Sequence, residues 1–80
     1  MKIPRDVSAS QLIKLLKELG YQPTRQSGSH IRLSTIINGQ HHITIPNHNP
    51  IKLGTLSGIL QDVATHFGKS KAEIVDILFV

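Results

Sequence analysis

The chain has 80 residues, enough for one domain with a modest core but too few for a deep catalytic cavity. It contains no cysteine, which excludes disulfides and thiolate metal sites. Its formal net charge is +4, with the basic excess between Met1 and Leu60; such a surface suits a polyanion such as nucleic acid, or serves solubility alone.

The organisation is that of a single domain over residues 1–80, because no internal repeat, low-complexity tract or linker is visible. We expect its core at about residues 3–67 and a helical extension at about residues 70–80. The run from Met1 to Asp6 lacks the apolar stretch of a signal peptide or membrane span. We therefore expect a cytoplasmic protein without a membrane partner.

A first helix is predicted from about Ala9 to Leu19. Ser8 is its expected N-cap, and Gln11 closes a capping box. Apolar residues then recur at helical spacing, and Gly20 is a natural C-terminal stop.

Three strands are predicted next, at Tyr21–Gln26, His30–Ile36 and Gln40–Ile45. Pro23 confines the first strand to a sheet edge or leaves it irregular, because proline cannot donate to a ladder. The residues Ser27-Gly28-Ser29 form the turn between the first two strands.

The second and third strands have two candidate registers. A two-residue Asn-Gly loop sets Leu33 opposite Thr44 and mixes apolar and polar residues on each face. A three-residue loop, with Gly39 in the left-handed region, pairs Leu33 with Ile43 and gives one clean apolar face, so we predict this second register. It sends five polar side chains to the opposite, open face: His30, Arg32, Ser34, His42 and Thr44.

Two more helices complete the chain. One is predicted to start at Thr55 as N-cap and to end at Gly68, and Ser70 with Glu73 forms a capping box that opens a short terminal helix. In that terminal helix we expect three side chains to face inward: Ile74, Ile77 and Leu78. The order α-β-β-β-α plus a short helix predicts a two-layer α+β fold, in which both long helices cover the apolar face of a three-stranded antiparallel sheet.

The open face suits a phosphodiester. Arg32, with Arg25 and Lys52 as possible neighbours, can hold phosphate oxygens, and His30 can take or give a proton. No carboxylate cluster or metal-ligand set is apparent, which argues against a two-metal nuclease. The plain alternative is that these side chains are simply solvated.

The remaining histidines have structural interpretations. His41 is expected on the core side, and His42 can serve as a cross-strand partner of Ser34. His48 either fixes its turn through the backbone or has a direct role, and His66 is expected to favour the C-terminal end of its helix. A zinc site from His41, His42 and His48 is possible by spacing, but the opposite faces predicted for His41 and His42 count against it.

Three motifs occur in order: RQSGSH at Arg25–His30, IPNH at Ile45–His48, and IKLGTL at Ile51–Leu56 followed by Ile59-Leu60. Together they closely resemble the HicA family, the small toxins of toxin–antitoxin pairs that are also described as YcfA-like mRNA interferases. The resemblance covers roughly Ile3 to Leu60. The loop Asn47–Ile51 departs from the family's usual His-Gly-Asn stretch, and the chain continues past the shortest members.

The resemblance implies a double-stranded-RNA-binding-domain-like fold and cleavage of mRNA, with His30 as the catalytic residue. We therefore expect an endoribonuclease that needs no metal or cofactor, with His30 moving a proton at a ribose 2′-hydroxyl or a leaving oxygen. The expected RNA-binding residues are Gly28, Ser29, Arg25, Arg32, Lys52 and His48. The implied partner is a HicB-type antitoxin, in a hetero-oligomer. The alternatives are an RNA-binding module without hydrolysis and a structural adaptor.

Overall fold

The computed structural model describes residues 3–79, so the expectations placed on Met1, Lys2 and Val80 lie outside the described residues. Its helices and strands follow the predicted order. They are α1 (Ala9–Leu16), β1 (Gln22–Ser27), β2 (His30–Thr35), β3 (His41–Pro46), α2 (Leu53–Phe67) and α3 (Lys71–Phe79).

Helix α1 begins where its capping box predicts. The Gln11 amide donates to the Ser8 hydroxyl at 3.1 Å, and the Ser8 amide donates to the Gln11 side chain at 2.8 Å. A 3-10 turn at Lys17–Leu19 continues the helix, and Gly20 ends it in the left-handed conformation. The predicted span is therefore confirmed.

The three strands form an antiparallel sheet in the order β1-β2-β3. Leu33 pairs with Ile43 and Ile31 with Ile45, which confirms the predicted register, and Gly39 has the positive φ expected of it. Because side chains alternate along a strand, this register separates an apolar face from a polar one.

Strand β1 is an edge strand, as Pro23 indicated, but it is shifted by one residue from the predicted range. Tyr21 lies just before it and is fully buried in the core. The register with β2 shifts between Pro23 and Arg25, where the strand bulges. The shift brings Arg25 opposite Arg32 and extends the strand to Ser27.

Helix α2 starts three residues earlier than predicted. Its N-cap is Lys52, whose carbonyl accepts from the Leu56 amide at 2.9 Å, whereas Thr55 lies within the first turn and does not cap. The chain is fixed just upstream, because Ile51 is buried and its amide donates to the Val7 carbonyl at 2.8 Å. Because Ile51 is fixed in this way, the helix begins directly after it and before Thr55.

Helix α3 has the predicted capping box, with hydrogen bonds between Ser70 and Glu73 in both directions. The backbone hydrogen bond from Ser70, helped by the Ser70 side chain, lowers the pKa of Glu73. Ile74 and Leu78 are buried as expected, but Ile77 is 41% exposed and Val75 is buried in its place. The inward stripe of this helix follows the i, i+1, i+4 spacing of one helical face.

The core lies between the helices and one face of the sheet, as the two-layer prediction requires. Its members come from every element except β1. Those from α1, α2 and the sheet are Ala9, Leu12, Leu16, Leu33, Ile43, Ile45, Leu56, Ile59, Leu60, Val63 and Ala64. The polar face of the sheet is left uncovered by the helices.

Candidate functional site

The turn at Gly28-Ser29 joins β1 to β2 and fixes the position of His30 at the start of β2. Ser27 pairs with His30 across the turn, and Gly28 has a φ of 57°, which favours glycine. The Asn47 amide donates to the Ser29 carbonyl at 2.6 Å and ties the turn to the end of β3. A Cβ at Gly28 would meet no atom within 4 Å, so the backbone of this turn is open to an approaching ligand.

His30 borders a groove of about 320 Å³ on the open face, hereafter the histidine groove. Its lining residues are Arg25, Ser27, His30, Arg32, His42 and Thr44. Arg25 and Arg32 are directly opposed across β1 and β2. Because this lining holds two guanidinium groups and no carboxylate, it attracts anions, and phosphate oxygens in particular.

His42 is held by Ser34, as the sequence predicted. The Ser34 hydroxyl and Nδ1 of His42 form a short hydrogen bond across the strand pair. The Thr24 hydroxyl lies 3.5 Å from the Ser34 hydroxyl and donates to the Arg32 carbonyl at 3.3 Å. These contacts orient the imidazole on the open face.

The structure brings only part of the predicted set together. Neither Lys52 nor His48 lines the histidine groove; Lys52 is the exposed N-cap of α2. His48 acts through its backbone: its amide donates to the Pro46 carbonyl at 2.8 Å, and its carbonyl accepts from the Ala9 amide at 3.0 Å. These contacts fix the loop between β3 and α2.

Three groove residues were missed by sequence reasoning. Ser27 was placed in the turn, and Thr24 and Gln40 were given no role, yet Ser27 lines the histidine groove and Thr24 and Gln40 line a second groove beside it. The bulge in β1 removes the alternation that identifies a strand face. The open-face residues of β2 and β3 were predicted because side chains alternate regularly along those two strands.

A second group of histidines is structural. His41 lies on the core side, where its Nδ1 is 2.7 Å from the Tyr21 hydroxyl and its Nε2 is 3.3 Å from an Asp62 oxygen. Its ring stacks on that of His66 with 4.4 Å between centroids. His66 Nε2 donates to the Ile37 carbonyl at 3.0 Å, which ties the β2–β3 loop to the end of α2. The predicted structural role of His41 is confirmed.

Tyr21 makes stability sensitive to alkaline pH. Burial, and then the nearby Asp62 carboxylate, raise its pKa from 10.0 to about 12. The folded state disfavours the phenolate form of Tyr21. The contribution of neutral Tyr21 to the free energy of unfolding is therefore complete below pH 10.0 and is lost as pH rises toward 12. We expect the wild-type chain to lose about 2–3 kcal/mol of unfolding free energy across that window relative to Tyr21→Phe.

The measurement for Tyr21 is urea unfolding of both chains between pH 9 and pH 12, read by circular dichroism. The two chains are compared by the slope of their unfolding free energy against pH, because the phenylalanine variant also loses the hydrogen bond to His41 at every pH. If both chains lose the same unfolding free energy at alkaline pH, ionisation of Tyr21 is not the cause of the loss.

The match to a known family agrees with this geometry. A family model described as HicA toxin of bacterial toxin–antitoxin matches residues 9–64. The chain belongs to the HicA toxin family. The matched residues run from α1 through all three strands into α2, and so include the open face. Comparisons with curated proteins and with solved structures find no match.

Membership in the HicA family makes the chain a toxin of the toxin–antitoxin type, which implies an antitoxin as its partner. Between residues 3 and 79, no three His, Asp or Glu side chains are grouped so that they could hold a metal ion. No helix in that same range is both long and apolar enough to span a membrane.

Proposed function

We propose that this HicA toxin is an endoribonuclease that cleaves mRNA by proton transfer through His30, without a metal ion. The observation that supports it is the histidine groove, in which an exposed imidazole lies with Arg25 and Arg32 and with no carboxylate. Two guanidinium groups bind a phosphodiester and offset the negative charge that develops on it in the transition state.

In the proposed reaction, the ribose 2′-oxygen attacks the adjacent phosphorus and the bond from phosphorus to the 5′-oxygen breaks. The 2′-hydroxyl loses a proton, and the leaving oxygen gains one. His30 accepts the first proton or supplies the second, and water exchanges the other. The open turn at Gly28-Ser29 lets the RNA backbone approach His30 without a steric clash.

Longer RNA meets further residues at the His30 end of the sheet. Because His30 pairs with Pro46, the loop that follows Pro46 borders this end of the groove. We propose that His48 in this loop, and Lys52 at its far side, contact RNA that extends beyond the groove. Both are exposed.

We propose that the antitoxin is a HicB-type protein that forms a hetero-oligomer with the toxin and covers the open face. An antitoxin bound over the histidine groove would keep RNA from reaching His30. We place the action of the toxin in the cytoplasm, where mRNA is found.

The competing function is an RNA-binding module without hydrolysis, because a basic, open sheet face also suits RNA binding alone. The test is incubation of the purified chain with a mixed RNA in EDTA, with cleavage and binding both measured. Cleavage supports the nuclease. Binding without cleavage would favour the binding module, and no RNA affinity above a salt-sensitive background would favour an adaptor.

The two arginines are expected to dominate the affinity for RNA. Replacing Arg25 and Arg32 with Gln together should lower the slope of log affinity against log salt by about 1.4, since each phosphate contact to a single strand contributes about 0.7. The measurement is a salt titration of RNA binding by fluorescence anisotropy.

The matched control for the arginine pair replaces Lys14 and Lys17 with Gln, which makes the same change in net charge on exposed positions at α1. An equal fall in slope for both double variants would mean that RNA binding senses only net charge, and that the groove is not the site.

A further inference from the structure

A second groove of about 390 Å³ adjoins the histidine groove on the open face. It is hereafter the glutamine groove, and its lining residues are Thr24, Arg25, Arg32, Ser34, Gln40 and His42. We propose that it binds one unpaired nucleobase of the RNA substrate and so gives the toxin a sequence preference. The proposal rests on the proposed function for the position of the cut phosphate.

The spacing along β2 suits a neighbouring part of the same RNA strand. From His30 to Ser34 is about 13 Å at the usual rise of a strand, too far for one phosphate to reach both. Arg25 and Arg32 line both grooves and lie between these positions. RNA with its cut phosphate between His30 and the arginines can therefore place the base of a neighbouring nucleotide beside His42.

The hydrogen bonds around His42 leave one ring nitrogen for a ligand. The Ser34 hydroxyl occupies Nδ1 of His42, whichever of the two atoms carries the shared hydrogen. Nε2 is left as the atom that a base can use, and the ring is oriented before RNA arrives.

The remaining groups fit a base better than a phosphate alone. Gln40 supplies a side-chain amide, with donors and an acceptor in one plane, which matches the edge of a nucleobase. The imidazole of His42 offers a flat ring on which an unpaired base can stack. The arginines hold the backbone, and these two side chains discriminate between bases.

The test is to sequence the cleavage ends from a random RNA pool. The wild-type chain is expected to prefer one base at a fixed distance from the cut by about tenfold. Gln40→Ala is expected to lose that preference, and His42→Ala is expected to lose it at whatever rate that variant still cuts. Gln61→Ala, an exposed glutamine on α2, is the matched control and should keep the preference.

A second measurement separates this proposal from the proposed function. Binding of 2′-O-methyl hexamers of A, C, G and U does not require cleavage, and the wild-type chain should discriminate among them while His42→Ala should not. Such selectivity in a chain that cuts no RNA supports the base site and overturns only the nuclease. Cleavage without base preference, or a preference retained in both groove variants, overturns the base site and leaves the nuclease intact.

Discussion

His30→Ala is expected to cut a defined RNA 10²- to 10⁴-fold more slowly than the wild-type chain, which is the range that loss of a general acid or base produces. His30 is exposed and has no place in the core, so the variant should fold normally. Arg25 and Arg32 remain in the groove and should keep RNA binding nearly unchanged. The effect is therefore expected on the rate of the chemical step.

The measurement is the single-turnover rate in EDTA at saturating protein, with circular dichroism and RNA affinity as controls for folding and binding. Lys17→Ala, which changes an exposed residue beside α1, should cut at the wild-type rate. If His30→Ala cuts as fast as the wild-type chain, His30 does not move a proton and the site assignment is wrong.

Gly20→Ala is expected to lower the free energy of unfolding by about 2–4 kcal/mol. Gly20 has a φ of +83°, which strains any other residue. A Cβ there would lie 2.7 Å from the Thr35 hydroxyl and 2.5 Å from Cδ1 of Ile37. The half-exposed Ile37 side chain can move away, but the buried Thr35 hydroxyl donates to the Leu19 carbonyl at 2.9 Å and accepts from the Ile37 amide at 3.1 Å.

The control for Gly20 is Gly68→Ala. Gly68 also has a positive φ of 64°, but its Cβ would meet nothing within 4 Å. That variant should show only the backbone strain, about 1–2 kcal/mol. Thermal unfolding measures both variants, and the Tm of a domain of this size falls by roughly 4–8 °C for each kcal/mol lost. Equal shifts for the two variants would contradict the role given to Thr35.

The sheet register could be predicted because Ile31, Leu33, Ile43 and Ile45 alternate with polar residues, and a slip of either strand by one residue would turn the apolar side chains of that strand to the open face. The capping boxes of α1 and α3 were equally readable, since a local side-chain pattern specifies each helix start. Both signals depend on residues that are neighbours along the chain.

The features that were missed depend on contacts between distant segments. Lys52 replaces Thr55 as N-cap because Ile51 is anchored to the segment before α1. The groove positions of Thr24 and Gln40 follow from a bulge and a loop end, where alternation fails. The stacking of His41 on His66 joins a strand to a helix and has no local sequence signal.

We propose that the open face promotes cleavage of RNA by the RNA's own ribose 2′-hydroxyl, without a metal ion. The most direct test incubates the wild-type chain in EDTA with one defined RNA and with the same sequence carrying a 2′-O-methyl group on every ribose. We expect only the RNA with free 2′-hydroxyls to be cut, and we expect both RNAs to bind. Cleavage of both RNAs, or of neither by a folded chain that binds them, would contradict the proposal.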